Sequence, residues 1–458
     1  MAVQSRALPL SGRFGWLGSH RLLLFNIGVV AFSSVGVKVA GMLRDVVLAS
    51  RFGTSDSADA FIAAWAIPQF LAMIIGSAFA GVIIPLQAEA RSRHGEAQSR
   101  RFLSEMLLLG LGGLLAITLL LIPLRGLLLP LVTSNFGPAK LTETRDLWML
   151  MLPAVFLYAM SVVWAALLHT DDRFGLAAVA PVLIPVCTIA ALWFYPAGGI
   201  KSPAVGFVIG CLAQVAALLW GLHRHRLDVL PTWHGGLPET RLALWQLLPF
   251  LANGVVFGGI GVVDQAMAAT LGKGSLATLS YGNKIVLPIL GIGSSALATV
   301  VYPRFSRLVA DRQWEQLHRQ VRGYLRWTLM ATIPLTIAML ISSHWIVRLL
   351  LERGEFTAAD TRAVSDLQMI FALMIPAYTV SQLLSSAINA MRATRLILIG
   401  SVFIATFNIV ADYFFKEWIG IKGIALATVL NYTLALAINV YLVRRLIRQR
   451  TAAVQGEG

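Results

Sequence analysis

Cysteine is almost missing from this chain: Cys187 and Cys211 are the only two, and both sit inside apolar runs. That excludes a disulfide framework or a cysteine-based zinc cluster, since a free thiol in such a run behaves as a small hydrophobe. Charge is scarce as well, at 13% of residues against 57% hydrophobic, with a mean hydropathy of +0.74. Soluble globular domains do not reach that balance, so the chain reads as a polytopic membrane protein. Acidic residues number 22 against 37 lysines and arginines, a formal charge of +15. The excess does not mark a nucleic-acid binder, because the bases are scattered among short loops with no basic domain or stacking platform. A phosphate loop is also missing. LGKGS at 271–275 has Met267 where the first glycine should stand and Gly274 after the lysine. His223 and His225 read as a solvated basic segment rather than a metal site. With no catalytic constellation left, the chemistry is transport and not that of an enzyme.

What is present in quantity is long apolar runs. A helix needs about 20 mostly apolar residues to cross the hydrocarbon core. Twelve spans follow, over 23–49, 59–88, 103–131, 146–169, 175–196, 203–222, 244–271, 277–303, 325–351, 363–391, 395–415 and 420–443. Arg6, Arg13 and Arg21 precede the first run, which continues into Lys38 and Arg44 and so reads as a retained helix rather than a signal peptide. Alternate loops collect the arginines: Arg91, Arg93, Arg100 and Arg101, then Arg173, then Arg224, Arg226 and Arg241, then Arg304 to Arg326, Arg392 and Arg395, and Arg444 to Arg450. The positive-inside rule puts those loops and both termini in the cytoplasm.

The chain repeats itself at an offset of about 218 to 223 residues. ASRFGTSDSADAF at 49–61 has its counterpart in AATLGKGSLATLS at 268–280, and the Pro153 helix in the Pro376 helix. Six spans followed by six in the same orientation form a parallel repeat, whose substrate site lies between the halves near the midplane. The expected organisation is a tail at 1–22, a six-helix bundle at 23–222, a linker at 223–243, a second bundle at 244–446 and a tail at 447–458. QWEQLHRQVRGYLRW spaces Trp314, Leu317, Val321 and Tyr324 as an interfacial helix on the cytoplasmic leaflet.

Two groups of residues break the apolar runs. Lys38, Arg44 and Asp45 in span one and Lys284 in span eight sit where a charge costs at least ~2.5 kcal/mol, so they face a bundle interior or a wet cavity. Such cations suit a phosphate-bearing substrate. Alternatively, Arg44 pairs with Asp45 or Asp59 only to hold helices together. The second group is Asp264 in span seven, Asn408 and Asp412 on one face of span eleven, and Thr428 in span twelve. These can supply hard oxygen ligands to a small cation, or form a plain interhelical hydrogen-bond network.

GMLRDVVLASRFGTSDSADAFIAAWAIPQF resembles the first two helices of the lipid II flippase family (MurJ, formerly MviN) of the multidrug/oligosaccharidyl-lipid/polysaccharide (MOP) exporter superfamily. LLLERGEFTAADT resembles that family's segment between helices nine and ten, and the likeness runs from about residue 22 to 446. The resemblance implies an all-α fold of two six-helix bundles with alternating access, around a cationic cavity that receives a lipid diphosphate. It implies substrate binding by Lys38, Arg44, Asp45, Asp59 and Lys284, with Lys38 and Lys284 standing at family arginines. It implies sodium binding by Asp264, Asn408, Asp412 and Thr428.

Two departures stand out. Ala72, Met73 and Ser77 replace the family's paired arginines and glutamate in span two, and the chain ends after twelve helices where many members have two more. The reading is therefore a flippase of the bacterial cytoplasmic membrane, moving lipid II or a related polyprenyl-diphosphate-linked glycan. A cation-coupled multidrug exporter and a transport-inactive scaffold for glycan-synthesis enzymes are the rivals. A closed twelve-helix bundle needs no second copy, so a monomer is expected.

Overall fold

A computed structural model of the protein describes residues 13–170, 174–225 and 231–456. Arg6, Arg173 and Arg226, with the rest of the linker segment 226–230, lie outside the described residues. Among the described residues there are helices and no strands. The first half holds α1 (Arg13–Phe52), α2 (Asp56–Val132), α3 (Pro138–Met151), α4 (Pro153–Thr170), α5 (Phe174–Val179), α6 (Leu183–Phe194) and α7 (Lys201–Arg224). The second half holds α8 (Pro238–Ala269), α9 (Ser275–Ala296), α10 (Tyr302–Ala310), α11 (Trp314–Leu351) and α12 (Ala358–Ala372). It ends with α13 (Met374–Ala390), α14 (Thr394–Ile419) and α15 (Ile421–Gly456).

Among the described residues nine helices are long and apolar enough to cross a membrane, or ten if α3 and α4, bent by 42°, count as one. The difference from twelve spans is partly one of joining. Helix α2 contains spans two and three in a single run, interrupted only at Gly95, whose φ of 83° takes it out of the helical region. Span one lies in α1, which starts at Arg13 inside the segment read as a tail, and α15 continues helically through most of the expected C-terminal tail. Every expected span is thus helical, although spans four, five, eight and ten are each divided among consecutive helical segments. The breaks before Pro153 and near Pro376 follow from proline, which removes a backbone donor and crowds the preceding turn.

The buried residues group by half. Two clusters are built mainly from α2, α3, α4, α6 and α7, with Ala177 of α5 and Ala243 of α8, and include Trp148 and Phe102. Two more come mainly from α8 through α15. A fifth joins the halves where α1 ends and α2 begins, with Ala49 and Ala58 against Ala277, Tyr281, Val347 and Phe356. One expectation is corrected here. Trp314, Leu317 and Val321 form a helix, but their apolar stripe is buried against Phe305, Leu308, Leu383, Leu442 and Val443 instead of lying on the leaflet. Helices α10, α13 and α15 supply the partner that the local sequence could not reveal.

Helices α6 and α7 pack through glycine. A Cβ at Gly210 would meet the Ile184 backbone at 2.6 Å, and one at Gly206 would meet the Cys187 carbonyl at 2.6 Å. Replacing Gly210 with Val must push these helices apart, at a cost of about 1–3 kcal/mol for overpacking. The expected result is a lower apparent melting temperature in detergent, whereas Gly113→Val, with nothing nearby to strike, leaves it unchanged.

Candidate functional site

Helices α1 and α9 run antiparallel, so that Thr54 faces Gly274, Asp45 faces Lys284 and Lys38 faces Gly291. Between them lies a cavity of about 370 Å³, lined by Lys38, Arg44, Asp45, Tyr281, Lys284 and Leu351, among others. Asp45 organises its charge. Its Oδ1 accepts from Arg44 Nη2 at 2.8 Å and Nε at 3.1 Å, and from Lys284 Nζ at 3.0 Å. Neighbouring residues on a helix ordinarily point apart, so the Arg44 guanidinium must fold back to reach Asp45. The pairing alternative is therefore part of the arrangement, and Arg44 chooses Asp45 over Asp59. Lys38 makes no ion pair among the described residues. Three cations against one carboxylate leave the lining with two net positive charges.

Tyr281 escaped the sequence reading. Its ring lies 5.6 Å from Lys284 Nζ, close enough for a cation–π contact. The available signal was its spacing, three residues before Lys284 on the same helix face.

Asp59 is placed elsewhere, which corrects its inclusion among the cavity residues. It is only 1% exposed, and its carboxylate is fully engaged. Oδ2 accepts from Lys140 Nζ at 2.7 Å and from the Gly274 N–H at 2.8 Å, while Oδ1 accepts from the Ala277 N–H at 2.7 Å. The last two are orphan donors at the start of α9, so Asp59 caps that helix from the other half of the chain. Lys140 also bonds Asp56 at 2.9 Å and sits 4.0 Å from the Phe136 ring centroid.

This latch belongs to a tightly closed end of the molecule. The Glu355 N–H donates to Ser50 O at 2.9 Å, Thr54 bonds Asp360, and Asn135 donates to Thr270 O at 2.8 Å. Ala72, Met73 and Ser77 lie on α2 away from these contacts. Ala72 is buried, while Met73 and Ser77 are exposed, and the Ser77 hydroxyl donates to Met73 O at 2.7 Å.

The second group also converges. Thr428 Oγ1 donates to Asp264 Oδ2 at 3.3 Å, and Asn408 and Asp412 face Asp264. Asn408 and Asp412 are fully buried, yet Asp264 Oδ1, both Asp412 oxygens and both polar atoms of the Asn408 amide have no hydrogen-bond partner among the described residues. Orphaned buried oxygens of this kind are expensive to leave bare. The donors are two carboxylates, an amide and a hydroxyl, the hard oxygen set that a small cation takes.

A family model described as lipid II flippase MurJ matches residues 48–455. The chain belongs to the MurJ family. Two MurJ relatives are similar along most of its length. The probable lipid II flippase MurJ of Rhizobium meliloti (strain 1021) is 27% identical over 396 residues, covering 81% of this chain and 71% of the relative. The lipid II flippase MurJ of Thermosipho africanus (strain TCF52B) is 26% identical over 411 residues, covering 89% and 82%. A solved lipid II flippase MurJ in an inward closed conformation aligns with a TM-score of 0.79 at 23% identity, covering 92% of this chain and 90% of that one. An inward-facing MATE family multidrug resistance transporter of the MOP superfamily aligns with a TM-score of 0.74 at 14% identity, covering 92% and 99%. The all-α polytopic fold of this chain is thus shared with these MurJ and MATE structures.

Proposed function

We propose that this MurJ-family chain is an alternating-access flippase for a polyprenyl-diphosphate-linked glycan in the bacterial cytoplasmic membrane. The observation that carries the reading is the cavity's two net positive charges, gathered around Asp45. A diphosphate diester bears two negative charges, so the cavity and the headgroup match in number as well as sign. Arg44 presents a fork that grips phosphate, and Lys284 and Lys38 act as point charges. The same charge repels the cationic amphiphiles of a drug exporter. The latched end would face the periplasm and the arginine-rich end the cytoplasm, with both termini on the cytoplasmic side.

Complementation tests it. In a host depleted of its lipid II flippase, the chain should restore growth and Arg44→Ala should not. A well-inserted chain that fails to rescue points to another polyprenyl-diphosphate glycan, in keeping with the neutral Met73 and Ser77. Arg44→Ala with full biological activity would instead favour the scaffold.

Sodium fits the second group, and Asp264, Asn408, Asp412 and Thr428 would hold it. When bound it would supply the positive charge that two facing carboxylates lack. A ligand at a hundred times its Kd stabilises its host by about 2.7 kcal/mol. Replacing choline chloride by sodium chloride should therefore raise the apparent melting temperature of the purified protein, and Asp412→Asn should abolish the rise. An equal rise in the variant would remove Asp412 from the site.

A further inference from the structure

Glu105 is a carboxylate that the cavity, the latch and the cation group all leave unused. It sits on α2 with no exposed surface. Four donors from the chain between the halves converge on it. Oε1 accepts the N–H groups of His234 at 2.8 Å and Gly236 at 2.9 Å, and Oε2 accepts the Leu237 N–H at 3.0 Å and the Thr240 hydroxyl at 2.6 Å. Its neighbour Ser104 accepts the Thr232 N–H at 2.9 Å. The cradle needs glycine, because Gly235 and Gly236 turn the backbone inward with φ of 98° and 77°. Leu237 immediately precedes α8, whose first residue is Pro238, so the carboxylate also lies at the positive end of that helix.

The hold continues along the helix. A Cβ at Gly254 would come within 2.8 Å of Ile74, and one at Gly81 or Gly258 within 3.0 Å of Phe250 or Phe70. Helix α8 is therefore seated on α2, although it belongs by sequence to the second half. Its far end carries Asp264, which is bonded to Thr428 of α15. One helix is thus anchored to opposite halves at its two ends.

We propose that Glu105 is the positioning residue of a fixed fulcrum: it clamps residues 232–240 to α2 throughout the transport cycle, and the second half swings about the Glu105 end of α8. A linker that let go would exchange four charge-assisted hydrogen bonds, made and shielded in place, for bonds to water, so the clamped arrangement is the favoured one. The inference rests on the alternating-access reading but not on the identity of the cargo.

Spin labels test it without substrate. In a background lacking Cys187 and Cys211, one label pair replaces the exposed Arg101 and Trp233, reporting the clamp, and another replaces the exposed Ser134 and Lys273, spanning the closed end. The closed end is unlatched with Asp59→Asn. The expected result is a longer Ser134/Lys273 distance with a single unchanged Arg101/Trp233 distance, which broadens only when Glu105→Ala is added. If the two pairs move together, or if neither moves, there is no fixed fulcrum. Separately, a chain that opens about an unmoved clamp yet carries no polyprenyl diphosphate in proteoliposomes would remove the flippase reading and leave the fulcrum standing.

Discussion

Gly354→Ala is expected to prop open the end of the molecule that Asp59 latches. Gly354 has a φ of +62°, and a Cβ there would stand 2.1 Å from the carbonyl oxygen of Ser50. That oxygen also accepts the Glu355 N–H, the one backbone–backbone bond between the halves among the described residues. The substitution adds left-handed strain of about 1–2 kcal/mol and removes a bond whose loss costs about 1–3 kcal/mol when buried. Together these amount to about 3 kcal/mol, enough to shift a balance between closed and open states by roughly a hundredfold. Thr278, buried beside the latch, reports the outcome as an introduced cysteine in a background lacking Cys187 and Cys211, labelled by an impermeant maleimide. Gly420→Ala is the control, since it has the same sign of φ (+61°) but nothing within reach of a Cβ. Faster labelling in Gly354→Ala alone supports the gate, and equal labelling in both variants removes it.

The membrane fold was legible because hydrocarbon imposes a simple rule: a span needs a long apolar run whatever surrounds it. Each of the twelve runs is helical, some over consecutive segments and two joined at Gly95. The cavity charges were legible for the same reason, since Lys38, Arg44 and Lys284 violate the rule. Asp59, at the start of span two, joins them only through the family resemblance, and its partners are the Gly274 and Ala277 amides, more than two hundred residues away. Nothing local distinguishes a carboxylate that meets substrate from one that caps a distant helix. The stripe at Trp314 failed similarly, because amphipathic spacing specifies an apolar face and not whether lipid or α15 covers it. Glu105 was the missed opportunity. It is an acid at the edge of an apolar run and merited the same suspicion as Arg44.

Asp45→Asn should bind a polyprenyl diphosphate more tightly and carry it more slowly, whereas Arg44→Ala should lose transport outright. In the structure Asp45 Oδ1 already occupies the donors of Arg44 and Lys284 that a phosphate would use. The carboxylate orients both cations, but substrate must displace it to reach them. Each charge-assisted bond to phosphate is worth about 1.5–3 kcal/mol, so freeing two donors from a competitor should lower KM about tenfold or more. The same gain opposes release on the far side. Tight binding that is equal in loading and unloading states does not speed transport, because only a difference in affinity between states drives the change. Turnover should therefore fall as KM falls, a split that simple misfolding cannot produce. Arg44→Ala behaves differently: it deletes the fork, leaves Asp45 to neutralise Lys284 and reduces the net charge of the lining to that of Lys38 alone. A proteoliposome assay with a fluorescent polyprenyl-diphosphate glycan separates the two variants. If Asp45→Asn matches the parent in both KM and turnover, the carboxylate does not compete with substrate, and the cluster around it serves only to join α1 to α9.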